Sequence, residues 1–303
     1  MTAADDVIIV GEGYAGLSCA AECVKLGLKV MSVEAGLFGG LIVNVNELEQ
    51  FAEAGGLSGM DQAATLAAGN RRAGVKRIAA EVRAVVPISG GFEVMTNSGK
   101  FRSRFVVIAS GARLTNLGVP GELEFHGRGV SHCADCDAPM FSNTEVIVAG
   151  AGNWALKDAL LLARESSKVH VVYKGSGLTA SAEFVDRVRA KPKIHLHPGL
   201  EILEVLGNAR GMSGVRFIDL NGNMGEISGR ALFVLEGLMA NSAIAPEPVA
   251  RDSDGFLKVD GILETSVSGV WAIGQVRCGF EGWLKDAVAD AQLVAESVKA
   301  RCG

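Results

Sequence analysis

The segment Cys133-Ala134-Asp135-Cys136-Asp137 holds the side chains of this chain that are best suited to chemistry. In a C-x-x-C pair, one thiolate attacks a partner disulfide and the second resolves the mixed disulfide, while a neighbouring carboxylate such as Asp137 can carry the proton. Two cysteines at this spacing also form half of many zinc sites. No second C-x-x-C completes such a cage, and His132, Cys133, Cys136 and Asp137 are too crowded to act as four ligands. The pattern favours a redox pair and predicts no metal.

Composition narrows the class of protein. The 303 residues suggest about two domains, since domains mostly run to roughly 100–150 residues. The 39 glycines against only 7 prolines indicate many tight strand-to-helix turns. The net charge of -5 gives no electrostatic footprint for nucleic acid. The N-terminus has no basic region, and the apolar run from Val7 to Val10 is too short for a signal or membrane helix. We therefore expect a cytoplasmic protein that binds neither nucleic acid nor membrane.

The chain opens on a βαβ pattern with a glycine-rich turn. The apolar run from Val7 to Val10 is typical of a parallel strand that is buried on both faces. It leads into Gly11-x-Gly13-x-x-Gly16 and a helical pattern, and the next strand ends at Glu34. In such units the glycines permit the turn and the approach of pyrophosphate, and an acid about 20 residues on binds a ribose hydroxyl. This stretch predicts a dinucleotide site.

A second copy of this pattern follows the cysteine pair. Its strand, glycine turn, helix and second strand fall at 145–149, Gly150-x-Gly152, 156–165 and 169–173. Further strands are predicted at 77–86, 92–96 and 101–108, with Asn97-Ser98-Gly99 as a hairpin turn. The segment from Gly269 to Gly274 and a final helix at 285–299 indicate a return to the first unit.

These elements predict an α/β fold with two Rossmann-like three-layer dinucleotide-binding domains, the second inserted in the first. The expected boundaries place residues 1–117 and 243–303 in the first domain and residues 118–242 in the inserted one.

The order of the motifs resembles the low-molecular-weight thioredoxin reductases, with the related alkyl hydroperoxide reductase flavoproteins close behind, over nearly the whole chain. The series runs through the first glycine motif, Gly39-Gly40, Ser110-Gly111-Ala112 in the place of the family's A-T-G, the C-x-x-C-D segment, a second G-x-G-x-x-A and the segment from Gly269 to Gly274.

The resemblance implies a cofactor, a set of roles and a partner. FAD would occupy the first domain, and the inserted domain would carry the cysteine pair and the NADPH site. By position, Cys136 would face the flavin, Cys133 would exchange with substrate and Asp137 would be the acid/base. The family implies a homodimer acting on a thioredoxin-like protein or a small disulfide or dithiol. The implied FAD residues are Gly11, Gly13, Gly16, Glu34, Gly39, Gly40, Gly111, Gly274 and Gln275, and the implied nicotinamide residues are Gly150, Gly152 and Lys174.

The nicotinamide site departs from the family. Where the family carries an H-R-R-x-x-x-R type pattern for the 2'-phosphate, this chain runs from Tyr173 to Thr179 with Lys174 as its one cation. A single Lys does not replace a bidentate Arg fork, and no acid ends the strand to favour NADH. Trp154 stands where the family has a small Ser or Thr, and its indole either fills the nucleotide site or points away and packs at the domain interface. We expect NADP and NAD to bind poorly.

The FAD side also differs. Gln275 replaces an Asp, Gln50 an Asn and Leu41 a Gln, and the 276–283 segment carries Phe280 and Trp283. A Gln still hydrogen-bonds a hydroxyl, so the prediction of FAD stands. The aromatic side chains either lie near the isoalloxazine or anchor a surface loop.

Three functions remain open from the sequence. The first is a flavin-dependent disulfide oxidoreductase that NADPH reduces poorly or not at all, with a donor such as a ferredoxin-like protein. The second is a dithiol oxidase that passes electrons to oxygen. The third is a non-catalytic sensor in which the state of the flavin and the disulfide controls a partner interaction.

Overall fold

The computed structural model describes residues 5–45 and 58–302. The helices are α1 (Tyr14–Lys25), α2 (Gly59–Arg72), α3 (Ala134–Asp137), α4 (Asn153–Glu165), α5 (Ala182–Arg189) and α6 (Leu284–Cys302), with 3-10 turns at Gly40–Asn44, Ala138–Phe141 and Gly274–Val276. The strands are β1 (Asp5–Val10), β2 (Val30–Glu34), β3 (Lys76–Ala79), β4 (Val82–Ile88), β5 (Gly91–Thr96), β6 (Lys100–Ile108), β7 (Ala112–Leu114), β8 (Val130–Ser131), β9 (Glu145–Ala149), β10 (Lys168–Tyr173), β11 (Ile194–Pro198), β12 (Leu200–Asn208), β13 (Gly211–Asp219), β14 (Met224–Ser228), β15 (Ala231–Val234), β16 (Leu238–Ala240) and β17 (Val270–Ala272).

The chain divides into two compact units. One comprises Met1–Arg113 with Met239–Gly303, and the other comprises Leu114–Leu238. The chain crosses between them at positions 113/114 and 238/239, four residues before each expected boundary. Strands β7 and β16 pair with each other at these crossings, so the sequence near 117 and 242 that suggested linkers lies just beyond the paired strands.

The first unit is built on a seven-stranded sheet in the order β3-β2-β1-β6-β5-β4, with β17 also paired to β6. Strand β6 serves two partners on one edge: its first half pairs antiparallel with β5, Phe92 opposite Ser103, and its second half pairs parallel with β17, Val270 opposite Val106. Both faces of β1 are covered, because Ile8 and Val10 face one apolar cluster while Val7 and Ile9 face the other. This is why the run reads as continuously apolar.

The second unit has a parallel five-stranded sheet in the order β11-β10-β9-β15-β8 and an antiparallel sheet of β12, β13 and β14. The two sheets share an apolar core that includes Ile147, Val172, Val205 and Met212. Helices α4 and α5 pack against each other, and α4 packs against strands of the parallel sheet. The predicted fold of two Rossmann-like domains, one inserted in the other, is confirmed. No helix in the described part of the chain is long and apolar enough to span a membrane.

One predicted strand is wrong. The sequence from Arg77 to Val86 reads as a single strand, whereas the structure has β3 and β4, separated at Ala80 and Glu81. The break has a physical cause: β3 pairs parallel with β2, but β4 pairs antiparallel with β5, so the backbone must change direction between them.

Candidate functional site

The cysteine pair forms a closed disulfide at the start of a helical turn. Cys133 and Cys136 are bonded, with their Cα atoms 5.4 Å apart. Cys133 is the N-cap of α3, and its Sγ accepts a hydrogen bond of 3.2 Å from the backbone N–H of Cys136. Cys136 is exposed and Cys133 is half-buried. The sequence therefore places the bond in a tight turn where at least one sulfur can be reached from solvent.

Polar groups hold this turn in place. The N–H of Cys133 donates to the Ser131 hydroxyl over 3.1 Å, and the N–H of Asp137 donates to the Cys133 carbonyl over 3.2 Å. From α4, the Asp158 carboxylate accepts from the N–H of Ala134 over 3.4 Å. Sequence reasoning missed Asp158, since it lies 24 residues from Ala134 and only the packing of α3 on α4 brings the two together.

The first glycine turn has the shape that a dinucleotide requires. A Cβ on Gly11 would lie 2.4 Å from the Ala109 carbonyl oxygen, and one on Gly16 would lie 2.0 Å from the Gly11 carbonyl oxygen. A Cβ on Gly13 would meet nothing within 4 Å, so the space in front of the α1 N-terminus is open. Two of the glycines permit close backbone packing, and the third leaves room for a ligand.

The other predicted glycines converge on this turn. Gly39 forms a bridge with Gly13, and its N–H donates to the Glu12 carbonyl over 2.6 Å. A Cβ on Gly40 would lie 3.2 Å from the Gly13 Cα, and one on Gly274 would lie 2.8 Å from the Ala15 Cβ. Segments that are distant in sequence thus meet around the start of α1.

The acid at the end of β2 is held in place by backbone groups. Its oxygens accept from the N–H groups of Glu12, over 2.8 Å, and of Gly36, over 2.9 Å, which leaves lone pairs on Glu34 for a ribose hydroxyl. A second acid, Glu12, lies buried beneath the turn and was missed from the sequence. It accepts from the Ser32 hydroxyl and from Arg77, each over 2.6 Å. An acid between two motif glycines was the available signal.

Three further predicted residues fall near the carboxyl ends of β6 and β17. Gly111 has a φ of +66°, and its carbonyl accepts from the N–H of Asn241. Gln275 is half-buried in the 3-10 turn after β17, and Leu41 is half-buried in the turn after Gly39. Gln50 lies outside the described residues. Cradle, open space and oriented acid together fit the adenosine diphosphate part of FAD.

The second glycine turn keeps its backbone but presents a different surface. Gly150 has a φ of +142°, and a Cβ there would lie 2.4 Å from the Leu235 carbonyl oxygen. The N–H of Ser181 donates to the Asn153 side chain over 2.7 Å, which draws the loop after β10 against the turn. Trp154 sits on the first turn of α4 with 38% of its surface exposed. The indole is therefore not part of the core of this unit.

Lys174, the predicted phosphate ligand, is already paired. Its ammonium lies 3.1 Å from the Glu201 carboxylate, and both side chains are about half exposed. Glu236 lies nearby at the end of β15, where removal of water raises its pKa, Lys174 opposes the shift and Glu201 reinforces it. The neighbourhood of Lys174 is acidic, which disfavours a 2'-phosphate.

Within residues 5–45 and 58–302, no group of three or more His, Cys, Asp and Glu side chains is arranged to hold a metal ion.

Comparison with known proteins identifies the family. The pyridine nucleotide-disulphide oxidoreductase family matches residues 5–293. The thioredoxin reductase of Treponema pallidum is 31% identical over 294 residues, which cover 96% of this chain and 95% of that protein. The chain belongs to the pyridine nucleotide-disulphide oxidoreductase family. Its similarity to thioredoxin reductases makes it an FAD-dependent disulfide oxidoreductase, as the resemblance implied.

Two further relatives illustrate the range of the family. The crystal structure of Lactococcus lactis thioredoxin reductase in its FR conformation superposes with a TM-score of 0.89 at 26% identity and covers 98% of each chain. An alkyl hydroperoxide reductase of Pseudomonas putida is 31% identical over 281 residues, covering 89% of this chain and 53% of that protein. The chain therefore has the length of the thioredoxin reductases and matches about half of the longer protein.

Proposed function

We propose that the enzyme moves electrons between FAD in the first unit and the Cys133–Cys136 pair, and then to or from a thioredoxin-like protein or a small disulfide. The observation that carries this proposal is the disulfide itself, which closes over the first turn of α3 with Cys136 exposed. By the same resemblance, the enzyme is proposed to work as a homodimer in the cytoplasm.

The chemistry at the pair balances without a metal. Reduction breaks the Cys133–Cys136 bond, adds two electrons and binds up to two protons. The freed Cys133 thiolate then attacks a substrate disulfide, and Cys136 resolves the mixed disulfide, so the substrate leaves as a dithiol and the bond re-forms. FAD, when bound, supplies the two-electron carrier. Asp137 is proposed as the group that passes protons to and from the sulfur atoms.

The glycine cradles and the acid are proposed to bind cofactor. Gly11, Gly13, Gly16, Gly39 and Gly40 would bring backbone N–H groups close to the pyrophosphate of FAD, with Glu34 at the ribose and Gln275 beside Gly274 near the ribityl chain. Gly111 would shape the same site.

We also propose that NADPH and NADH reduce this flavin slowly or not at all. Lys174 is paired with Glu201, and Gly175 and Thr179 carry no charge where the family pattern has Arg. A donor other than nicotinamide, such as a ferredoxin-like protein or a substrate dithiol, then supplies the electrons. If a dithiol is the donor, the same groups run in reverse, and oxygen accepts the electrons from the flavin.

An anaerobic titration tests the proposal. The purified protein, yellow with FAD, is reduced by dithiothreitol, and thiols are counted before and after. We expect two new thiols, and we expect Cys133→Ser to abolish turnover of a thioredoxin disulfide. Cys278→Ser is the matched control, because that thiol is half-buried and hydrogen-bonded to Asp252. Full activity in Cys133→Ser would contradict a catalytic pair, and reduction without any turnover would favour the sensor.

A further inference from the structure

Asp158 is the one carboxylate that reaches the cysteine turn from another helix in the described contacts. Its Oδ2 accepts from the N–H of Ala134 over 3.4 Å. Ala134 directly follows Cys133 and is buried, so this amide fixes the backbone between the two sulfur atoms relative to α4. The carboxylate reports on, and acts on, the geometry of the pair.

The surroundings favour the neutral form of this acid. Burial raises the pKa of Asp158 to about 7, Lys157 and the Ala134 N–H oppose the shift, and the negative charge of Asp135 reinforces it. The titratable and charged groups on the elements that pack against α4 are Asp135, Asp137, Glu145, Lys168, His170, Tyr173, Glu183, Asp186, Arg187, Arg189, His195 and His197. Among them, only Asp135 acts appreciably on this carboxyl.

We infer that Asp158 is a positioning residue for the Cys133–Cys136 pair, which anchors the turn through Ala134 and sets the acidity of the thiol formed on reduction. The inference rests on the proposed function, because it assigns Asp158 to the same dithiol chemistry.

The proton count explains how the charge acts. When reduction breaks the disulfide, two electrons enter, and one sulfur can remain a thiolate while the other binds a proton. A thiolate next to an ionised carboxylate is repelled, so either the thiol keeps its proton or Asp158 takes one up. In both cases the protein binds two protons for two electrons near neutral pH. With an uncharged side chain at position 158, the thiolate is stabilised and the second proton is not needed.

The test measures the pair at equilibrium, in the full-length flavoprotein. Wild type, Asp158→Asn, Asp158→Glu and Glu165→Gln are equilibrated with dithiothreitol buffers from pH 6 to 9, and alkylation by iodoacetamide gives the thiol pKa of each reduced protein. Glu165→Gln is the matched control, since it removes one charge at the far end of the same helix. Circular dichroism confirms folding, and Asp158→Ser replaces Asp158→Asn if the latter does not fold.

We expect Asp158→Asn to lower the pKa of the more acidic thiol by about one unit, as removal of a neighbouring like charge does. The equilibrium constant for reduction at pH 8 should rise about tenfold, because a stabilised thiolate favours the reduced form. Asp158→Glu should restore most of the wild-type pH dependence, and Glu165→Gln should match wild type.

Two results would overturn the inference. One is Asp158→Asn with the thiol pKa and equilibrium constant of Glu165→Gln. The other is a change of equal size at every pH that Asp158→Glu does not rescue, which would mark a purely structural role. A wild-type pair that dithiothreitol cannot reduce would instead contradict the proposed function, so the two failures are distinct.

Discussion

The Glu12 carboxylate lies 2.6 Å from the Nε of Arg77, which is 65 residues farther along the chain. Glu12 is buried, and its other oxygen accepts from the Ser32 hydroxyl. Arg77 donates in addition to the Gly36 carbonyl over 3.0 Å. The pair therefore fastens β3 to the first glycine turn and to the loop that follows β2, the two segments proposed to hold the adenosine end of FAD.

Glu12→Gln should weaken both this part of the fold and FAD binding. The substitution leaves Arg77 without its anion, and because 38% of the Arg77 side chain is exposed, solvent offsets part of the loss. We expect a cost of about 1–2 kcal/mol in the stability of this unit and a rise of about tenfold in the Kd for FAD. Fluorescence titration of apoprotein with FAD measures the second. Glu93→Gln, which breaks a pair with exposed Lys100 and Arg102 in the same unit, should leave the Kd unchanged.

Gly274→Ala should release flavin. Gly274 has a φ of +66°, and an added Cβ would lie 2.8 Å from the Ala15 Cβ at the start of α1. Gly279→Ala is the control, since Gly279 has a φ of +69° but its nearest neighbour is an Arg277 nitrogen at 4.0 Å. Both variants carry backbone strain of about 1–2 kcal/mol, and only the first adds a clash. Gly274→Ala should purify with less than half of the wild-type flavin absorbance per protein, and equal flavin in both variants would contradict the proposed convergence.

Acid should destabilise the inserted unit through His170. Its ring lies between His197, at 2.9 Å, and Glu145, at 3.1 Å, and burial lowers the pKa of His170 while Glu145 opposes the shift. Lys168 and His195 lower the pKa further. The folded form thus prefers the neutral ring, the unfolded chain binds more protons, and stability is lost as pH falls below the ordinary His value of about 6.5.

His170→Gln should remove part of this pH dependence. The urea midpoint of wild type should fall more between pH 7.5 and pH 5.5 than that of the variant, and His126→Gln, which lies outside this cluster, should behave as wild type. Parallel losses in wild type and His170→Gln would show that other groups carry the acid sensitivity.

The sequence predicted what depends on local pattern. The glycine turns, the doubly buried run of β1 and the Asn97-Ser98-Gly99 hairpin between β5 and β6 are all present, because each is written in neighbouring residues and periodicity. Cys19 and Cys23, expected in the core, are both fully buried in α1.

Contacts that depend on packing could not be predicted. The pairing of Glu12 with Arg77, the reach of Asp158 to Ala134 and the pairing of Lys174 with Glu201 join residues from 24 to 65 positions apart, and no local pattern specifies them. The split of the 77–86 strand has the same origin, since it follows from which strands are adjacent in the sheet.

Restoring charge at the second glycine turn should restore nicotinamide use. Gly175 and Thr179 occupy the positions where the family pattern has Arg, and a side chain at Gly175 would meet nothing closer than 3.5 Å. The double variant Gly175→Arg with Thr179→Arg adds two charged donors for a 2'-phosphate, each worth about 1.5–3 kcal/mol. We expect its flavin to be bleached by NADPH with a Kd at least about a hundredfold below that of wild type in anaerobic stopped-flow mixing. NADH, which lacks the phosphate, should gain little. Gly177→Arg, a charge in the same loop at a position where the pattern has none, is the matched control. Rapid bleaching of the wild-type flavin by micromolar NADPH would instead mean that Lys174 leaves Glu201 to bind the phosphate, and that the enzyme is a conventional NADPH reductase.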